Sequence, residues 1–180
     1  MLKKNLVFFL VFFLLLLTPV IVYFFEYPTT VEAVQEKVIY DLPYPGILPD
    51  HPLYFLKAIR DRLVDWGTRD NLKKAQLYLL YSDKKVAMAQ SLVKKGKNAL
   101  AFSTFSKGEK YFLKIPKLLL EAKKQGSSPP SGFVEKLKLA NSKHKEIAES
   151  FLKELPQGST NLVISIIKLN DQIKTQLEKL

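Results

Sequence analysis

Residues 133–180 read FVEKLKLANSKHKEIAESFLKELPQGSTNLVISIIKLNDQIKTQLEKL. Within them Phe133, Leu137, Ala140, His144, Ile147 and Phe151 recur at spacings of 4-3-4-3-4, and Val163, Ile166, Asn170, Ile173, Leu177 and Leu180 at 3-4-3-4-3. A spacing that averages three and a half residues keeps every member on one face of a helix. Pro156-Gln157-Gly158 interrupts the pattern, so two helices are expected to fold back on each other as an antiparallel hairpin. A strand would bury every second residue instead, and no window of the chain sustains that alternation between turns. The fold class predicted is all-α.

The same signals extend upstream. Gly126-Ser127-Ser128-Pro129-Pro130-Ser131-Gly132 is a loop between the hairpin of 133–180 and a core unit over 52–125. A helix is predicted over 97–125, with Phe102, Phe105, Phe112, Ile115, Leu119 and Ala122 on one face, Gly108 in its interior and a bend at Pro116. Another runs over 70–95, ended by Gly96. Its stripe of Leu72, Ala75, Leu79, Ser82, Val86, Ala89 and Val93 alternates small and large residues and lets a second helix approach closely. The first helix starts at Asp50 and Pro52 and stops at Gly67. Leu53, Leu56, Ile59, Leu63 and Trp66 form its core-facing stripe, with Lys57, Asp61 and Asp65 opposite. The architecture expected is an antiparallel bundle of four or five helices.

Leu6 to Phe25 contains twenty residues without a charge, enough at ~1.5 Å per residue to cross the ~30 Å hydrocarbon core of a bilayer. Lys3 and Lys4 precede the run and Glu26, Glu32 and Glu36 follow it. The positive-inside rule then predicts a single membrane anchor over 1–25, with the N-terminus in the cytoplasm and the remainder outside. The alternative is a signal peptide cleaved near Ala33, where Val31-Glu32-Ala33 offers small residues to a peptidase. Residues 26–51 contain Pro28, Pro43, Pro45 and Pro49 and read as an extended linker. At ~3.3 Å per residue it has a maximum reach of ~85 Å.

Charge is concentrated in one place. Residues 26–68 hold four basic and seven acidic groups, 69–129 fourteen and four, and 130–180 eight and six. Lys73, Lys74, Lys84, Lys85, Lys94, Lys95, Lys97, Lys107, Lys110, Lys114 and Lys117 form the candidate contact surface, one suited to an anionic cell-envelope polymer, lipid headgroups or a protein partner. Lysines also solvate outward helix faces without any partner, so the run alone does not specify a ligand. Lysine outnumbers arginine twenty-five to three, which favours diffuse attraction over bidentate phosphate recognition. Nucleic acid is not an expected partner, because the aromatic residues fall mainly on predicted core faces.

The chain has no cysteine and two histidines, which excludes thiol catalysis, disulfides and Cys-ligated zinc. It has no phosphate-binding glycine loop, nucleophile elbow or HExxH pair, and Ser82-Asp83-Lys84 cannot assemble a dyad from adjacent helical positions. No catalytic residue, cofactor or metal is predicted. His144 and Asn170 interrupt apolar stripes, where a polar residue commonly fixes register or makes one buried hydrogen bond. Local sequence offers His144 no companion ligand. The expected role is an interaction or structural module. A chaperone or stress sensor that cradles unfolded chains is the alternative, and self-association through 133–180 a third possibility.

Leu42-Pro43-Tyr44-Pro45-Gly46-Ile47-Leu48-Pro49-Asp50-His51-Pro52-Leu53-Tyr54-Phe55-Leu56-Lys57 resembles the opening of a bacterial domain-of-unknown-function family. Arg60-Asp61-Arg62-Leu63 and Asn71-Leu72-Lys73-Lys74-Ala75 are similar to it as well, so the resemblance covers residues 42–125. It implies an exported, often membrane-anchored helical protein and brings no activity or site residue with it. His51 stands where the family has serine, a helix cap, so Asp50 is expected to take over the capping.

Overall fold

The computed structural model describes residues 38–154 and 160–180. The apolar run Leu6–Phe25, the motif at Ala33, the linker up to residue 37 and the Pro156-Gln157-Gly158 break lie outside them. Among the described residues there are six helices and no strand: α1 (Tyr54–Gly67), α2 (Asn71–Lys94), α3 (Asn98–Phe112), α4 (Ile115–Lys124), α5 (Phe133–Glu154) and α6 (Thr160–Leu177). None of them is long and apolar enough to cross a membrane.

The four long helices make the bundle. α2 packs on α3, α3 on α6, α6 on α5, and α5 closes against α2, while short α4 lies against α2 and α6. Phe133, Leu137, Ala140, His144, Ile147 and Phe151 of α5 are all buried, as are Val163, Ile166, Asn170, Ile173 and Leu177 of α6. The hairpin is antiparallel: Leu137 early in α5 shares a cluster with Ile173 late in α6, and Ile147 and Phe151 share another with Val163 and Ile166. The heptad stripes are thus occupied within one chain.

Local chemistry sets the ends of α2. Asp70 Oδ1 accepts the Lys73 N–H at 2.7 Å, a cap worth ~1 kcal/mol. At the other end Gly96 adopts φ 71°, which lets the Lys97 N–H reach the Leu92 carbonyl at 2.9 Å and turns the chain into α3. α3 then lies very close to α2. A Cβ built on Gly108 would sit 3.1 Å from both the Ser82 carbonyl oxygen and Lys85 Cβ, so the interior glycine of α3 is a contact point rather than a flaw.

The helix predicted over 97–125 is two helices. Phe112 ends α3, and Pro116 falls in the first turn of α4, where its missing N–H has no intrahelical partner to lose. Proline here opens a helix instead of bending one, and both pieces keep the predicted face buried through Phe102, Phe105, Phe112, Ile115, Leu119 and Ala122.

The first helix reverses the prediction. Its half-buried positions are Tyr54, Lys57, Asp61 and Asp65, whereas Leu53, Leu56, Ile59, Leu63 and Trp66 face outward; Leu63 is 62% and Trp66 81% exposed. Polar contacts hold this inverted face down. Tyr81 donates to the Asp61 carbonyl at 3.0 Å, Lys85 to the Tyr54 hydroxyl at 3.3 Å, and Lys74 lies 3.5 Å from Asp65. Fully burying one such apolar side chain is worth about 1.5–3 kcal/mol. Leaving a whole stripe in water is therefore an anomaly that packing within the bundle does not explain.

Residues 38–53 are non-helical, in keeping with their composition, but lie against the bundle. The Val38 N–H donates to Glu146 Oε2 at 3.0 Å, the Tyr40 hydroxyl to Asp83 Oδ2 at 2.6 Å, and Lys57 Nζ to the Pro45 carbonyl at 3.0 Å beside Gly46, whose φ is 70°. Asp50 does not cap α1. Its Oδ2 accepts from Lys95 at 3.2 Å and Lys97 at 2.9 Å, tying the segment to the α2–α3 turn and holding its carboxyl below the usual carboxylate range, mainly through the Lys97 hydrogen bond. His51 does the local work itself: its Nδ1 accepts the Leu53 N–H at 3.1 Å, the contact a serine oxygen makes in such a turn.

Candidate functional site

Two arrangements stand out, one buried and one exposed. The buried one is a polar layer across the middle of the bundle. Each long helix supplies a member at the same level: Asp83 from α2, Glu109 from α3, Asn141 and His144 from α5, and Asn170 from α6. The layer separates an apolar cluster containing Leu79, Phe112, Leu137 and Ile173 from another containing Val86, Phe105, Ile147 and Ile166. His144 is at its centre. Nδ1 lies 2.8 Å from Glu109 Oε1 and Nε2 3.0 Å from Asp83 Oδ1, with the rings of Phe105 and Phe112 edge-on to the imidazole.

Both ring nitrogens face acceptors, so both carry protons, and the ring is an imidazolium between two carboxylates. Burial alone would push this histidine down, but the Glu109 charge and the hydrogen bonds to Asp83 and Glu109 outweigh it and raise it from 6.5 to about 9. Asn141 and Asn170 close the layer by exchanging side-chain donors for each other's backbone carbonyls, at 3.1 and 2.9 Å. Tyr40 closes it from outside through Asp83, and burial followed by that hydrogen bond pushes its phenol well above the ordinary range. Ser82 Oγ and Asn170 Oδ1 are buried without a partner among the described residues.

His144 and Glu109 expose no surface, so in this conformation the triad touches nothing but protein. Its chemistry is that of a lock: a helix rotated or slipped by one turn would strand a charge in the core, at a cost of ~3–5 kcal/mol. The carboxylates approach the ring from its two nitrogens instead of converging on a common point, and no metal-ligating group of three is found among the described residues. Sequence spacing flagged His144 and Asn170 by their place on apolar stripes. Asp83 and Glu109 gave no such signal, being charged positions in lysine-rich helices, and they lie 61 and 35 residues from His144 along the chain.

The exposed arrangement is basic. Lys84, Lys85, Lys107, Lys110 and Lys114 gather around Tyr111, with Lys74 reaching the same neighbourhood through Tyr78. Lys85 and Lys114 lie over the Tyr111 ring at 5.8 and 5.5 Å, within cation–π range. Phe102, Phe105, Phe112, Phe133 and Phe151 are in the core as expected, yet Tyr54, Tyr78, Tyr81 and Tyr111 interleave with the lysines, a pairing that helix spacing did not show. Burial pushes Lys85 down, and Lys57 also, partly countered by Asp61. Between α1 and the α2–α3 pair runs a groove of about 650 Å³, lined by Tyr54, Tyr81, Lys84 and Lys107, with Ile59, Leu63 and Trp66, each more than half exposed, at its open edge.

The remaining predicted lysines go elsewhere. Lys95 and Lys97 are held by Asp50 at the α2–α3 turn, and Lys117 lies 3.9 Å from Glu121 one turn along α4. Lys73 and Lys94 are exposed on α2.

Residues 46–158, well over half of the chain, match the family described as a domain of unknown function, DUF5667. The chain belongs to the DUF5667 family. No match accompanies it among curated proteins or among solved structures. The DUF5667 match continues past residue 125 through α5, the helix that carries His144. Asp83, Glu109 and His144 all fall within the DUF5667 region; Tyr40 and Asn170 lie outside it.

Proposed function

We propose that this DUF5667 protein is a membrane-tethered, extracytoplasmic binding module and not an enzyme. In this reading Leu6–Phe25 anchors it with the N-terminus in the cytoplasm, and the lysine face of α2 and α3 meets an anionic polymer of the cell envelope. The observation that carries it is the gathering of Lys85, Lys107, Lys110 and Lys114 in one hollow beside Tyr111, two of them over its ring, without an ion-pair partner for any of the four among the described residues. Lysines that only solvate a helix face have no reason to converge on one hollow.

Retention of the full chain, in detergent, on an immobilised anionic polysaccharide tests it. Binding should be strong at low salt and vanish near 1 M, where the Debye length shrinks to ~3 Å. K107Q/K110Q/K114Q should abolish it with the fold intact, and unchanged retention of that variant overturns the proposal. The apolar edge of the 650 Å³ groove favours the alternative, a chaperone-like binder of unfolded chains. Binding to an unfolded client that survives high salt and ignores the three lysines would support that reading instead. Self-association through 133–180 would need a face other than the buried heptads, and among the described residues Leu139, Leu152, Leu162 and Ile164 are its exposed large apolar ones.

A further inference from the structure

We infer that the outward face of α1 docks on the surface of an anionic phospholipid bilayer, laying the bundle against the membrane that tethers it. The inference rests on the tether proposed above and adds a second contact to it. At 3.6 residues per turn, Phe55, Leu56, Ile59, Leu63 and Trp66 fall within one arc of α1, and all are more than half exposed. Arg60 and Arg62 lie on the two flanks of that arc, and Arg69 follows two residues after the helix ends.

Those three are all the arginines in a chain that uses lysine twenty-five times. Guanidinium pairs with phosphate in a planar fork, and an arginine beside an apolar face can lay its stem on that face while its head stays at headgroup level. Arg60 is 2.6 Å from Asp61, an exposed contact that headgroup phosphates can replace. An apolar arc with Trp and Phe on it and cations along its flanks is the pattern of a helix lying in the membrane interface. Ile39 and Tyr44, just upstream, are strongly exposed too.

Chain length permits it. Because residues from Val38 onward are fastened to the bundle through Glu146 and Asp83, only residues 26–37 separate the end of the apolar run from the folded unit. Twelve residues reach at most ~40 Å, about half the span that a linker ending at His51 would have. So short a linker limits how far the folded unit can move from any bilayer that the apolar run enters, and within that reach even a weak interfacial helix meets lipid at high effective concentration.

Trp66 is the chain's one tryptophan, 81% exposed, and reports directly. The full chain is reconstituted into vesicles of phosphatidylcholine and phosphatidylglycerol whose acyl chains carry bromine, and its fluorescence is compared with that of I59E/L63E and R60Q/R62Q. The expected result is a blue-shifted, bromine-quenched Trp66 in the parent, loss of both effects in I59E/L63E, and weaker quenching in R60Q/R62Q, with all three floating with the vesicles and equally helical. A parent that floats with an aqueous, unquenched Trp66 overturns the docking and leaves the tether standing. A parent that does not float overturns the tether, and the docking with it. Shielding of Trp66 that rises with protein concentration and ignores bromine assigns the face to a second copy of the chain, and overturns the inference.

Discussion

The Nδ1 of His144 lies 2.8 Å from Oε1 of Glu109, and neither side chain exposes any surface to water. Asp83 on the second ring nitrogen makes this a cation held between two anions inside an apolar bundle. Isolated charges do not survive there; a hydrogen-bonded set does, and it gains nothing from any other register of the four helices.

A titration of stability should reveal it. The folded pKa of His144 is about 9 against 6.5 when free, so its contribution is fully present below pH 6.5 and is lost as pH rises through about 9. Unfolding melts of the full chain should lose on the order of 3 kcal/mol between those limits, from ~1.4 kcal/mol per pKa unit. A flat profile over that window would show that the ring is not an imidazolium.

Breaking the triad and removing it should differ in size. His144→Ala leaves two buried carboxylates without their cation and should cost ~3–5 kcal/mol. Replacing the whole set, Y40F/D83L/E109L/H144F, removes the charges together and should recover most of that loss, since apolar groups of similar volume often match a buried ion cluster. Denaturant midpoints of the two variants give the comparison. If the quadruple variant keeps salt-sensitive polymer binding, the layer serves the fold and not the surface.

Gly108 tests the contact between α2 and α3. Alanine there gains ~0.8–1 kcal/mol of helix propensity, but its methyl meets the Ser82 carbonyl and Lys85 Cβ at 3.1 Å, both fixed to the backbone of α2. Overpacking of this kind costs ~1–3 kcal/mol, so Gly108→Ala should be net destabilising in thermal melts. Net stabilisation would mean the two helices separate easily.

Spacing revealed five of the six helices and the buried stripes of all but one, because burying an apolar face is a periodic demand that leaves a periodic trace. The polar layer is different. Its members touch across the bundle between residues 29 to 61 positions apart, and nothing local marks Asp83 or Glu109 as unlike the surface acids around them. The α3–α4 break was visible as Pro116 and misjudged in kind, since proline is tolerated in a first turn as well as at a bend. The capping of the first turn failed for a similar reason: Asp50 is the better capping residue by type, but two lysines at the α2–α3 turn compete for it and win.

The orientation of α1 is where periodicity misled, and one substitution decides it. A stripe at 3-4-3 spacing reads as core-facing, and a buried leucine replaced by aspartate would cost several kcal/mol through lost packing and a buried charge. In the structure Leu63 is 62% exposed while Lys57, Asp61 and Tyr54 face the bundle. Leu63→Asp should therefore stay within about 0.5 kcal/mol of the parent when the full chain, kept in mild detergent, is unfolded with denaturant. Tyr81→Phe, which deletes the hydrogen bond to the Asp61 carbonyl from a nearly buried ring, should be the more damaging change, at about 1 kcal/mol or more. The reverse order would put the apolar stripe back in the core and remove the face that the bilayer is proposed to cover.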